Sequence, residues 1–167
     1  WQKTPWQIYE NKQALPRVFL ASNYVVESDR NKIIKMIHDE DLDLRKRIIL
    51  EKDMLPKINF EKDENAKVEL KKYSPNKIVI NTNASANKIL FISDNYYPGW
   101  RVSVDGENGK IHRANYSFRA VYVPKGRHEV IFSYYPDSFD LGLKVSLITV
   151  AFFIMSLIGI KFIRRNV

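Results

Sequence analysis

Two short runs of this chain hold the residue types from which a binding site can be built: Ser93-Asp94-Asn95-Tyr96-Tyr97-Pro98-Gly99-Trp100-Arg101 and Arg113-Ala114-Asn115-Tyr116-Ser117-Phe118-Arg119. Aromatic faces stack on the C–H surface of a sugar ring, while Asp, Asn and Arg hydrogen-bond hydroxyls or grip a phosphate. Asp94, Asn95, Tyr96, Tyr97, Trp100, Arg113, Asn115, Tyr116 and Arg119 are therefore the candidate ligand-binding residues, for a sugar or a lipid phosphate. The same residues also have a purely structural reading. Pro98-Gly99 makes a turn, Trp100 opens a strand toward the core, and Asp94 and Asn95 cap the loop through its own backbone.

Other chemistries find little support. With no cysteine there is no disulfide framework, thiolate metal site or Cys nucleophile. The run His38-Asp39-Glu40-Asp41-Leu42-Asp43 lacks the glycine and the oxygen spacing of a calcium loop, and reads as a solvated helix end. His112 and His128 stand outside any His-x-His or His-Glu-x-x-His pattern, so no metal and no other cofactor is expected. There is no G-x-S-x-G and no phosphate-cradling glycine loop, and no carboxylate pair is singled out as acid and base; no catalytic residue is predicted. Asn83-Ala84-Ser85 and Asn115-Tyr116-Ser117 match the glycosylation acceptor, a pattern common by chance. The net charge of +8 is spread along the chain. Lys57, Lys62, Lys67, Lys71, Lys72 and Lys77 alternate with Glu51, Asp53, Glu61, Asp63, Glu64 and Glu69, a mixed-sign solvated face that argues against a nucleic-acid partner. Anionic lipid head groups are the better match for the excess charge.

The elements that must position these groups read mainly as strands, with apolar and polar residues alternating between turn signals. Strand regions are expected over Arg17–Val26, Arg47–Leu50, Lys67–Tyr73, Lys77–Asn83, Lys88–Ser93, Trp100–Val104, Lys110–Ala114, Phe118–Val123 and Arg127–Tyr135, with a hairpin turn at Ser74-Pro75-Asn76. Asp94–Gly99, Asp105–Gly109, Asn115–Ser117 and Pro124–Gly126 are the punctuation between the later ones. Such spacing predicts an antiparallel β-sandwich, jelly-roll-like. One short helix is expected after an N-cap at Ser28-Asp29, with Ile33, Ile34, Met36 and Ile37 on its apolar face.

The end of the chain is different. Val145 to Ile160 carries no charge, and with Leu141, Leu143, Phe162 and Ile163 the apolar stretch reaches the roughly 20 residues needed to cross a bilayer. Lys144 and Lys161 at its edges can snorkel to the interface. A soluble helix would instead have to bury Phe152, Phe153, Ile154, Met155, Leu157 and Ile158 around its whole circumference. Lys161, Arg164 and Arg165 in the short tail predict a cytoplasmic C-terminus and an extracytoplasmic domain before the helix. The expected division is residues 1–138 as the domain and 139–167 as helix and tail, joined by a short elbow at Pro136–Asp140. Gly142 and Ser146 form a small-xxx-small pair, so upstream helices of the same protein are expected neighbours alongside the lipid bilayer. Trp1 opens the chain without an initiator Met or signal peptide, which suggests a piece of a longer membrane protein.

Three blocks carry a family resemblance: Tyr9 to Leu20 (YENKQALPRVFL), Ser93 to Gly106 (SDNYYPGWRVSVDG) and Arg113 to Val121 (RANYSFRAV). In order, spacing and terminal helix the chain resembles the C-terminal portion of YfhO-family bacterial membrane proteins, with Asp29 to Lys72 the least similar part. The resemblance implies a multi-spanning parent similar to GT-C glycosyltransferases, which use polyprenyl-phosphate-linked sugars to modify cell-envelope glycans. It places the catalytic acid of such a parent in an early extracytoplasmic loop outside this chain. For the chain itself it implies an accessory domain that covers the membrane active site or holds an envelope glycan; a structural or protein-interaction domain without a ligand is the alternative.

Overall fold

The computed structural model describes all residues except 1–8, 13, 40, 55–62, 64, 166 and 167, and for 159, 160 and 162–165 it describes the backbone alone. Trp1, Gln13, Glu40, Lys57, Glu61, Lys62 and Glu64, which entered the reading above, thus lie outside the described residues.

The strands are β1 (Val18–Ala21), β2 (Asn23–Val26), β3 (Arg47–Leu50), β4 (Lys67–Ser74), β5 (Lys77–Ala84), β6 (Lys88–Ile92), β7 (Trp100–Val104), β8 (Glu107–Gly109), β9 (His112–Ala114), β10 (Phe118–Val123) and β11 (Gly126–Tyr134), with helices α1 (Arg30–Ile37) and α2 (Asp137–Arg165). They form two sheets, a six-stranded one in the order β1-β6-β10-β9-β3-β2 and a five-stranded one in the order β4-β5-β11-β7-β8. The mainly β, two-sheet architecture followed by one apolar helix is as expected from the alternation.

Ile78, Ile80, Val102, Val130 and Phe132 of the five-stranded sheet meet Val18, Leu90, Ile92, Val121 and Val123 of the six-stranded one in the core between them. Burial of each such side chain contributes about 1.5–3 kcal/mol. A second core lies on the other face of the six-stranded sheet, where Phe19, Ile48, Leu50, Met54, Ile89 and Phe91 pack with Ala114 and Ala120. β6 is buried at every position because both of its faces are covered, which is why Ile89 to Ile92 read as an unbroken apolar run after Lys88.

The Arg17–Val26 region is two strands rather than one. β1 and β2 stand at opposite ends of the strand order yet are separated by Ser22 alone. Two virtual Cα bonds reach at most about 7.6 Å, so the sheet must curl until its edges approach there, which encloses the second core. β2 and β3 pair in parallel, the one departure from antiparallel pairing among the described residues. The cause is α1: a parallel pair needs a crossover, and β2-α1-β3 supplies it. Asp29 caps α1 as expected, accepting from the backbone N–H groups of Asn31 at 2.8 Å and Lys32 at 3.1 Å, and Ile33 anchors the helix with no exposed surface.

Part of the expected Asp105–Gly109 turn is strand β8. Only Asp105 and Gly106 make the turn, with φ of 52° and 86°, so that Val104 pairs with Glu107 in a two-residue hairpin of the Asp-Gly kind. The expected elbow is also shorter than predicted, because α2 begins at Asp137 immediately after Pro136. Asp137 and Asp140 in the first turn favour this start by facing the positive end of the helix dipole. Lys144 pairs with Asp140 at 2.6 Å. From Asp137 to Ile158 the 22 residues are long and apolar enough to cross a membrane, and none of the apolar window is buried within the chain. A soluble-core helix would be mostly buried, whereas here Phe152, Phe153 and Ile154 are exposed along a candidate membrane span.

Candidate functional site

The antiparallel register collects the ends of β1, β6, β7, β10, β11 and the β4–β5 turn at the end of the sandwich from which α2 leaves. Ile92 lies opposite both Val18 and Arg119, and Trp100 lies opposite Tyr134. The Tyr135 N–H donates to Gly99 at 2.8 Å and that of Tyr134 to Asn76 at 2.9 Å. Gly99 has φ of 96°, and a Cβ there would come within about 3.1 Å of Tyr134 and Pro136, so the loop and the helix entrance approach closely only because this residue is glycine.

Asp94 is the hub of this end. Its Oδ1 accepts from Arg17 Nη1 at 2.8 Å and from the Tyr73 hydroxyl at 3.2 Å, and its Oδ2 accepts from Arg119 Nη2 at 3.1 Å. Arg119 shares the inner face of β10 with Val121 and is only 2% exposed. Its guanidinium lies 4.1 Å from the Trp100 ring centroid and 5.3 Å from that of Phe132. Burial pulls the Arg119 pKa down, and the Asp94 charge opposes that. Cation–π contact and a paired carboxylate are what make a buried guanidinium tolerable. Its Nη1 has no hydrogen-bond partner among the described residues. A cleft of about 550 Å³ runs over this cluster, lined by Asp94, Asn95, Tyr97, Trp100 and Arg119 together with Tyr73 and Tyr134.

The structure therefore brings five of the nine candidate residues to one cleft, and it separates the other four by role. Asn115 is structural: its Oδ1 accepts from the Ile49 N–H and its own N–H donates to Ile49 O, both at 2.8 Å, which splices the β9–β10 turn onto β3. It is 5% exposed, so its acceptor motif offers no accessible amide. Asn115 and Tyr116 both have positive φ, 43° and 74°. Arg113 stacks over Tyr96 at 4.8 Å and pairs with Glu51 at 3.3 Å, and the Tyr96 N–H donates to Ser117 O. Tyr96 and Tyr97 line a neighbouring cavity of about 620 Å³ with Trp100 and Arg101, so Tyr97 and Trp100 form the wall between the two.

Arg17 and Tyr73 were missed by sequence reasoning. They lie 77 and 21 residues from Asp94, and nothing local marks them as its partners. Lys88 was missed as well: it is buried beside Ser22 Oγ at 2.6 Å, with its pKa lowered by desolvation and the Asp63 charge opposing that shift.

At the opposite end, His128 Nδ1 is 2.6 Å from Asp105 Oδ2 and Nε2 is 3.1 Å from Lys125 O. Burial lowers the His128 pKa, but the hydrogen bonds to Asp105 and Lys125 and the Asp105 charge outweigh it and leave it raised. His112 is shifted the other way, down, by burial and by Lys110. Among the described residues no group of three or more His, Asp or Glu side chains is placed to hold a metal ion. Asp39 and Asp43 instead accept from backbone N–H groups two residues ahead.

A family model described as bacterial membrane protein YfhO matches residues 57–146, from before β4 to within the first turns of α2. This chain belongs to the YfhO family. The matched stretch contains all nine candidate residues. A curated relative from Bacillus subtilis (strain 168), described as "Uncharacterized protein YfhO", is 23% identical over 104 residues, covering 62% of this chain and 11% of that protein. The chain thus spans about a tenth of the length of this YfhO relative. No solved structure matches it.

Proposed function

We propose that this YfhO-family chain is an extracytoplasmic accessory domain of a larger membrane glycosyltransferase of the GT-C kind, with residues 1–138 as the domain and 139–167 as its anchor and cytoplasmic tail. Its cleft at the helix end receives the sugar or phosphate of a polyprenyl-phosphate donor, or an envelope glycan, at the outer membrane surface. The observation that carries this reading is Arg119, buried on Trp100 with Nη1 unpartnered among the described residues, in a cleft beside the start of an apolar helix. That nitrogen is sealed from solvent, so it becomes a donor for a phosphate or hydroxyl oxygen in the cleft only when the side chains over it shift. The exposed rings of Tyr73, Tyr97 and Tyr135 around it suit the head-group layer.

The alternative, a structural domain without a ligand, is favoured by the saturation of Asp94 by Arg17, Tyr73 and Arg119, which leaves that carboxylate little to offer a ligand. Substituting Asp94 or Trp100 therefore confounds folding with binding. Asn95 and Tyr97, both exposed in the cleft, do not. In the complete parent protein, Tyr97→Ala and Asn95→Ala should reduce sugar transfer about tenfold or more while the melting temperature is unchanged. Transfer at the parental rate would sink the binding reading. In the same strains, a cysteine at exposed Arg127 should react with a membrane-impermeant maleimide in intact cells, and labelling only after permeabilisation would place the domain on the wrong side.

A further inference from the structure

We propose that the cavity beside β8 and β9, away from the cleft at the helix end, is a second binding site, and that its ligand is a neutral saccharide ring. This inference is independent of the reading given above. The cavity measures about 620 Å³, within the range of small-ligand sites. Glu107, Asn108, Lys110 and His112 line it from one short stretch of chain, and among the described residues none of their side chains has a hydrogen-bond partner. His112 is only 9% exposed. Its ring nitrogens are not among the sealed, unpartnered polar atoms, so the surface it keeps opens to water in the cavity, where a ligand hydroxyl could take the water's place.

The chemistry of the walls selects the ligand. One carboxylate, one amide, one ammonium and one imidazole offer donors and acceptors together, which suits vicinal hydroxyls, each of which donates and accepts. Burial favours the neutral form of His112. An anion would meet Glu107 and Asp105, and a cation would meet Lys110. Val104, Val121 and the Tyr122 ring supply an apolar wall for the C–H face of a sugar. Asp105 and His128 close the other side, but they are engaged with each other and with the Glu129 N–H and Lys125 O, so they act as fixed wall rather than as ligands.

The test uses the whole chain, with histidine ring nitrogens and valine methyls isotope-labelled, in alkylphosphocholine micelles that contain no sugar head group. With the tryptophan indole nitrogens labelled as well, methyl β-glucoside, N-acetylglucosamine and maltotriose are titrated in turn while the His112 ring, the Val104 methyl and the Trp100 indole signals are followed. The expected result is saturable movement of His112 and Val104 by at least one saccharide, with Kd on the order of 1 mM and Trp100 unmoved. Asn108→Ala, on the exposed rim, should weaken that binding about tenfold with the melting temperature unchanged, and His112→Ala, followed at Val104, should abolish it. Absence of saturable movement with all three sugars overturns the proposal. So does equal movement with mannitol or inorganic phosphate, or parental binding by Asn108→Ala and His112→Ala. Movement confined to Trp100 overturns this site while supporting the cleft at the helix end.

Discussion

The two ends of the sandwich handle charge in opposite ways. At the helix end a guanidinium is buried and held by a carboxylate that three donors saturate, with two aromatic rings on its faces. At the far end the Asp105–His128 pair stays near solvent: Asp105 is half exposed, and His128 keeps part of its ring accessible, although Lys88 at that end is buried. The first arrangement makes folding depend on one partner; the second leaves protonation free to follow the solvent.

The largest test of that contrast is Asp94→Ala. It leaves Arg119 buried without its carboxylate, and breaking a buried pair from one side costs about 3–5 kcal/mol. The expected outcome is a drop in melting temperature large enough to leave the domain partly unfolded by circular dichroism. A loss below about 1 kcal/mol would mean that Arg119 is hydrated and the helix end is no different from the far end.

A smaller effect is expected at Asn115→Ala, which deletes the acceptor for the buried Ile49 N–H and puts Ala at a φ of 43°. An unsatisfied buried N–H costs about 1–3 kcal/mol, so chemical denaturation should show a loss in that range. Asn115→Gly, which tolerates the backbone but lacks the amide, should recover only the conformational part.

The smallest effect separates the ends by pH. The folded-state pKa of His128 is raised, so its contribution is fully present below its unfolded value of about 6.5 and is lost as pH rises through the folded value. Asp105 is lowered, so its contribution is present above about 3.9 and is lost as pH falls through the folded value. The pair therefore acts fully between about pH 4 and 6.5. His112, lowered, works against stability on the acid side, because its proton binds the unfolded chain better. Melting temperature against pH should lose its alkaline decline in His128→Gln and keep it in Asp94→Asn. An unchanged profile in His128→Gln would mean that the far end is insensitive to protonation.

Local pattern reached a definite depth in this molecule. Every strand of the five-stranded sheet except β8 was visible as alternation; in β5, β7 and β11 one face is covered and the other wet, whereas β4 alternates in sequence but stays largely exposed. β8 was hidden by the Asp105-Gly106 turn signal running into Glu107–Gly109, residues with little strand preference that pair only because β7 lies alongside. The split at Ser22 was equally hidden: β1 and β2 are short, adjacent and similar in composition, and only their partners β6 and β3 distinguish them. At the helix end the aromatic and polar runs announced themselves by composition, yet composition did not separate Tyr97 and Asn95, which line a cleft, from Asn115, which ties a turn to β3.

Membrane attachment, β class, the α1 cap and the identity of the dense runs follow from residue types and short spacings, since hydrophobic length, period and capping are properties of a contiguous segment. Which side chains meet does not. Arg17, Tyr73 and Arg119 come to Asp94 from distances of 77, 21 and 25 residues. Their meeting is decided by strand register, and register is decided by the packing of the two cores as a whole.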